Sequence, residues 1–215
     1  MPVAAARERS ARIVERLQGL ECFQAAQGVG LFWPMLERRE VDLRELDSAA
    51  RSSGKRVYYP FLRGTTTGFA ETKHASDLAL TESDFQQPAE HCPTAARGEI
   101  DLLIVPALWF ALDGQRLGYG RGYYDATLPD YCPPAASVVV GFDFQLTPEL
   151  PTRPGDVAVD WIVTDLRCLR AAKRADDAPE PRRVEPERAA DPDPPSGGAS
   201  TSASLRWRRG REPTA

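Results

Sequence analysis

The sequence predicts an α/β protein: a Rossmann-like, mostly parallel sheet flanked by helices, in a single domain followed by a disordered tail. Three observations predict it. DLLIVP at 101–106 and SVVVGF at 137–142 are short, continuous, β-branched runs of the kind buried on both faces of a parallel sheet. Helical patterns alternate with such runs along the first 170 residues, which is the order of an α/β fold. The chain has 215 residues, 42% of them hydrophobic, enough for one such core and too few for two large ones.

The elements follow in order. Ile13, Val14, Leu17 and Leu20 fall on one face at helical spacing, and Ser10 before them is the expected N-cap. GVGLFW at 28–33 reads as a buried strand. Asp42 and Glu45 have the spacing of a capping box, and Leu43, Leu46, Ala49 and Ala50 give the next helix an apolar face that runs out near Gly54. RVYYP at 56–60 is a second strand and WIVT from Trp161 a further one. Between Leu62 and Gly98 the pattern is weak; Gly64, the threonines 65–67 and Pro88 read as loops broken by short strands. From 171 to 215, Pro, Ala, Asp, Glu, Arg, Ser and Gly dominate, so this segment is expected to be a disordered tail beyond a 1–170 domain. Its basic end around Trp207 reads as solvated, the competing use being contact with an acidic surface or RNA.

Composition excludes several classes of function. With 27 Lys+Arg against 31 Asp+Glu and a net charge of −4, the chain lacks the basic excess of a nucleic-acid binder, so no nucleic-acid partner is expected. No apolar run approaches the roughly 20 residues that span a bilayer, and the N-terminus lacks the apolar core of a secretory signal. A cytoplasmic monomer with a small-molecule partner and no membrane is expected. Cys22, Cys92, Cys132 and Cys168 are widely spread, with only His74 and His91 to accompany them, which argues against zinc, disulfides and imidazole-based hydrolysis.

Chemistry concentrates in RLGYGRGYYD at 116–125, where a strand leads through Gly118, Gly120 and Gly122 into a helix expected to begin near Tyr123. Glycines let backbone approach a ligand closely, and the unpaired N–H groups of a helix start favour an anion such as phosphate. Arg116 and Arg121 on either side add paired donors. Asp125, in the first helical turn, has two readings: a magnesium ligand beside the phosphates, or a carboxylate that complements the helix N-terminus.

This ten-residue segment resembles the signature of the 5-formyltetrahydrofolate cyclo-ligase family, together with the preceding Val-Pro strand end and the Asp113-Gly114 turn. Glu40-Val41-Asp42, 54–60, Gly141-Phe142-Asp143 with Gln145, Leu150-Pro151 and Asp156 extend the resemblance over roughly 10–169. It implies an enzyme that uses ATP and Mg²⁺ to convert 5-formyltetrahydrofolate to 5,10-methenyltetrahydrofolate, with ADP and phosphate released. The formyl oxygen would attack the γ-phosphorus and N10 would then close the ring as phosphate leaves. Arg116, Tyr123 and Asp125 would be catalytic. Arg116, Leu117, Gly118, Tyr119, Gly120, Arg121, Gly122, Tyr123 and Tyr124 would bind ATP. Met35, Glu40, Gly120, Arg121, Gly122 and Tyr123 would meet the folate, and Asp125 and Asp156 would hold Mg²⁺.

Each role has a plainer competitor. Glu40 would be a solvated loop charge, Asp156 a turn residue, the two tyrosines helix packing, and Met35 core with Trp33, Trp109 and Phe110. The family's basic opening segment would fall before Met1, 36–39 is about two residues longer than usual, and Arg153 and Gly155 replace family residues near Asp156. These departures keep open an alternative expectation: a non-catalytic folate- or nucleotide-binding protein of the same fold.

Overall fold

The structure is a computed structural model describing residues 1–81 and 85–172. The tail expected from 171 onward falls on 173–215, outside the described residues. Ala171 and Ala172 still belong to the domain, donating backbone N–H groups to Asp160 at 2.9 Å and Leu112 at 3.0 Å.

In chain order, the helices are α1 (Val3–Gln18), α2 (Glu21–Ala25), α3 (Arg44–Ser52) and α4 (Tyr123–Tyr131). The strands are β1 (Gly28–Gly30), β2 (Arg56–Arg63), β3 (Thr66–Thr72), β4 (Leu78–Leu80), β5 (Gln86–Pro88), β6 (Leu102–Pro106), β7 (Trp109–Ala111), β8 (Arg116–Leu117), β9 (Ala136–Val140), β10 (Leu146–Thr147), β11 (Trp161–Val163) and β12 (Cys168–Arg170). The main sheet has seven strands in the order β12-β11-β9-β6-β1-β2-β3. Its inner pairs are parallel, whereas β3 and β12 pair antiparallel at the two edges.

Alternation along the inner strands explains why both faces are dry. Leu102 and Ile104 of β6, with Val138 and Val140 of β9, point into the core under α1 and α3, where Ile13, Leu17, Leu46 and Ala50 meet them. Leu103, Val105 and Val139 point to the opposite core, covered by Leu128 and Tyr131 of α4. Burying each such side chain contributes about 1.5–3 kcal/mol, and a strand apolar on both faces leaves no solvated register to slip into.

Three local expectations are corrected. Helix α1 starts at Val3, so Ser10 lies inside it, buried, and its hydroxyl accepts the Asp42 N–H at 3.0 Å. The run of alanines and charged helix formers before Ser10 propagates the helix without a cap. Asp42 and Glu45 form no capping box: α3 has Leu43 at its N-cap, and the Asp42 carboxylate takes the Arg44 N–H at 3.2 Å and its guanidinium. Strand β1 ends at Gly30, though Leu31 still donates to Tyr58 O at 2.8 Å.

Strand order also fixes where a ligand belongs. From β1 the chain moves to β2 on one side, then returns to build β6, β9 and β11 on the other. The reversal between β1 and β6 is a topological switch point, and open α/β sheets bind ligands outside the carboxyl ends of strands there.

Candidate active site

A cleft opens at that switch point. Phe32, Glu40 and Val41 line it after β1, Pro106 and Leu108 at the end of β6, Gly141 and Gln145 after β9, and Tyr119 from the glycine loop. Gln145 holds the strand ends together: its side-chain N–H group donates to Leu108 O at 2.9 Å and its Oε1 accepts the Phe142 N–H at 2.6 Å.

Glu40 owes its position to a tight loop. Residues Leu36–Arg38 form one turn of 3₁₀ helix, and Arg39 ends it in the left-handed region at φ 57, a conformation costly for a residue with a Cβ. The 36–39 stretch expected to be longer than in the family forms this turn. The reversal lets Glu40 Oε2 accept the Met35 N–H at 2.8 Å, while Oε1 is buried with no hydrogen-bond partner among the described residues. Burial raises the Glu40 carboxyl above its ordinary value, since desolvation penalises the charged form. Met35 contributes its backbone amide.

The glycine segment begins on a short ribbon, β7 against β8, in which Arg116 pairs with Phe110 and Leu117 with Trp109. Phe110 and Arg116 therefore face inward and Trp109 and Leu117 outward. Phe110 is fully buried and Trp109 is 46% exposed. Gly120 at φ +82 and Gly122 at φ +63 carry the loop through left-handed conformations into α4, and a Cβ added at Gly118, Gly120 or Gly122 would stand in open space. The expected helix start near Tyr123 is where the structure has it.

Arg116 and Asp125 close the base of the loop. The Arg116 side chain is only 4% exposed and that of Asp125 30%. Both terminal nitrogens of the guanidinium donate to Asp125 Oδ1, at 3.0 and 3.1 Å, and the same oxygen accepts the Val157 N–H at 3.1 Å. The guanidinium also stands over the Tyr124 ring, 5.7 Å from its centroid, and burial lowers its pKa. Its Nε is buried with no hydrogen-bond partner among the described residues. Burial, then the neighbouring Tyr123 and the Glu40 carboxylate, raise the Tyr124 hydroxyl well above its ordinary value.

A model of the 5-formyltetrahydrofolate cyclo-ligase family matches residues 2–165. The chain belongs to that family. The match begins eight residues before the first family-like position read from the sequence, Ser10, because the first half of α1 is included. The 5-formyltetrahydrofolate cyclo-ligase of Mycolicibacterium smegmatis is 32% identical over 130 residues, 56% of this chain and 65% of that protein. The enzyme of the same name from Escherichia coli K12 is 31% identical over 131 residues, 58% of this chain and 71% of that one. The matched span is thus about two thirds of the length of these relatives. Among solved structures, the 5,10-methenyltetrahydrofolate synthetase of Aquifex aeolicus superposes with a TM-score of 0.70 at 26% identity, covering 81% of this chain and 87% of that chain. The synthetase of Mycoplasma pneumoniae, 20% identical with a TM-score of 0.61, shares the fold.

Set against this cleft, the residues singled out in the sequence divide into groups. Glu40 and Tyr119 line the cleft, while Arg116, Tyr124 and Asp125 interlock beside it. Tyr123 turns the other way: its hydroxyl donates to Gly68 O on β3 at 2.6 Å. Asp156 sits in a turn, its Oδ2 accepting the Arg153 N–H at 2.7 Å, yet its charge reaches Arg116. Arg38, Leu108 and Gln145 were not singled out for the cleft. Gln145 was legible only as the third residue after Gly141-Phe142, beyond the carboxyl end of a buried strand.

The site suits the group the family implies. Open space around three glycines admits phosphates close to the backbone, and Arg116 Nε is a buried donor without an acceptor among the described residues. No cluster of three or more His, Cys, Asp or Glu side chains able to hold a metal occurs among the described residues. A magnesium ion bound with nucleotide phosphates needs only one or two carboxylates from the protein, and Asp125 and Asp156 are the candidates.

Proposed function

We propose that this protein converts 5-formyltetrahydrofolate to 5,10-methenyltetrahydrofolate at the expense of ATP, releasing ADP and phosphate. The observation that carries the reading is the placing of the Arg116–Asp125 pair at the foot of an open glycine loop, beside a cleft that holds a buried carboxylate. A phosphate site and a site for a flat, donor-bearing heterocycle then adjoin. Family membership supports the same reaction.

The residues divide the work. Backbone N–H groups from Gly118 to Tyr124 and the start of α4 hold the phosphates, and Arg116 offsets their charge. Asp125 and Asp156 would hold magnesium, which neutralises charge building on the phosphoryl oxygens during transfer. Glu40 orients the pterin by accepting its N–H donors, with Oε1 free to do so. Gln145 keeps the cleft's floor in register. Transfer of a phosphoryl group to the formyl oxygen needs positioning and charge neutralisation more than a covalent nucleophile, which suits a site without Cys or His. Tyr123 anchors α4 to β3 and so positions the loop. The setting is a cytoplasmic monomer acting on a small molecule.

Phosphate release from Mg-ATP, followed with and without 5-formyltetrahydrofolate, tests the reading. Release that requires the folate supports it, whereas release at the same rate without folate contradicts it.

A further inference from the structure

The cleft already holds one of the protein's own side chains. Tyr119, from the middle of the glycine loop, lines it with Arg38 and Glu40 from the segment after β1. The Arg38 guanidinium lies over the Tyr119 ring, 5.1 Å from its centroid. The Tyr119 hydroxyl faces the Glu40 carboxylate; burial first, and that negative charge second, raise the phenol to about 12. Yet Glu40 Oε1 gains no hydrogen bond of normal geometry from it.

This contact is a docking and not a core packing. Tyr119 remains 43% exposed. Its neighbours in the chain are Gly118 and Gly120, both with open space where a side chain would lie. A cation–π contact at so exposed a site is weak, so undocking is cheap. A ligand gains more by replacing Tyr119 than Tyr119 gains by staying, provided it offers Glu40 the donor that Oε1 lacks.

We propose that Tyr119 is a specificity-determining residue: docked between Arg38 and Glu40, it closes the cleft and yields to ligands that bring both a flat ring for Arg38 and an N–H donor for Glu40 Oε1. An aliphatic anion or free phosphate brings neither and leaves it shut. The proposal rests on the folate reading of the cleft and adds the residue that selects the ligand. Because only the open fraction admits a ligand, closure lowers the apparent association rate by that fraction.

The test places 3-fluorotyrosine at position 119 of the full chain and follows its fluorine resonance, with tryptophan fluorescence as a separate reporter of folate binding. Arg38→Ala is expected to move the resonance of the ligand-free protein toward that of free tyrosine. In the otherwise unaltered chain, 5-formyltetrahydrofolate is expected to move it, and glutarate, an aliphatic dianion with neither a flat ring nor an N–H donor, to leave it in place. Tyr119→Ala is expected to speed folate association about fivefold, the factor for a mouth closed four-fifths of the time. A resonance that neither Arg38→Ala nor bound 5-formyltetrahydrofolate moves overturns the proposal, as does an unchanged association rate in Tyr119→Ala. Failure of the parent chain to bind 5-formyltetrahydrofolate overturns the selection and the folate reading together. The Arg38→Ala result distinguishes that failure from loss of docking alone.

Discussion

Arg116 and Asp125 meet at a single atom: two guanidinium N–H groups and the Val157 N–H all converge on Asp125 Oδ1. A nearly buried cation thereby has its charge balanced at the foot of the glycine loop. The same carboxylate is the one the proposed reaction assigns to magnesium, so stability and turnover depend on one residue.

Asp125→Asn separates the two. The amide keeps an oxygen for hydrogen bonding but leaves Arg116 without a counter-charge, at an expected cost of about 1.5–3 kcal/mol, the scale of a hydrogen bond to a charged group. Seen from the sequence, at the surface end of a helix, the residue promises only a modest loss; the burial of Arg116 makes it larger. Urea denaturation measures that loss, and magnesium-dependent turnover is expected to fall sharply. Unchanged turnover in a folded variant would remove Asp125 from the reaction.

Gly118→Ala tests the phosphate cradle with almost no structural disturbance. A Cβ there meets nothing within 4 Å, so the melting temperature is expected to hold. If backbone approaches phosphate at this point, the methyl group stands in the way, and calorimetry will show ATP binding weakened by about tenfold or more, equivalent to about 1.4 kcal/mol. Equal ATP affinity would mean that phosphates do not lie against Gly118.

Glu40 makes stability depend on pH. Its carboxyl is raised in the folded protein, so the folded state binds more protons than the unfolded one between the ordinary carboxylate range and the raised value. The stabilisation is fully present below that window and is lost as pH rises through it. Glu40→Gln is expected to flatten this part of the profile and raise the melting temperature at neutral pH, while weakening folate binding. A melting profile from pH 4 to 8 that the substitution leaves unchanged would refute the assignment.

Tyr123→Phe distinguishes anchor from catalyst. Loss of the hydroxyl that bonds Gly68 O is expected to cost about 1 kcal/mol of stability and to leave kcat near that of the parent. A large fall in kcat at unchanged stability would return Tyr123 to the chemistry.

The parallel core was legible because β-branched runs such as Leu102–Pro106 allow few other structures, and the loop was legible because RLGYGRGYYD carries its own chemistry. The β2–β3 hairpin was not, since β3, TTGFAET, mixes small, polar and apolar residues and its burial comes from Phe61 across the hairpin and from Tyr131, distant in sequence. The start of α1 was misplaced because Ser10 imitates a cap while serving Asp42 across the fold. Within the site, Glu40 was identifiable only through the family's pattern, and its burial depends on a left-handed Arg39 that no local rule favours. The docking of Tyr119 on Arg38 joins two loops through the sheet order, which periodicity does not reveal.

The most direct measurement of the central claim is the ultraviolet absorbance of 5,10-methenyltetrahydrofolate, followed while the protein is mixed with 5-formyltetrahydrofolate, ATP and Mg²⁺. Product that accumulates in step with ADP, and ceases when ATP is omitted, is the expected result. Both ligands bound with no absorbance change would contradict the account and leave a binding protein of the same fold.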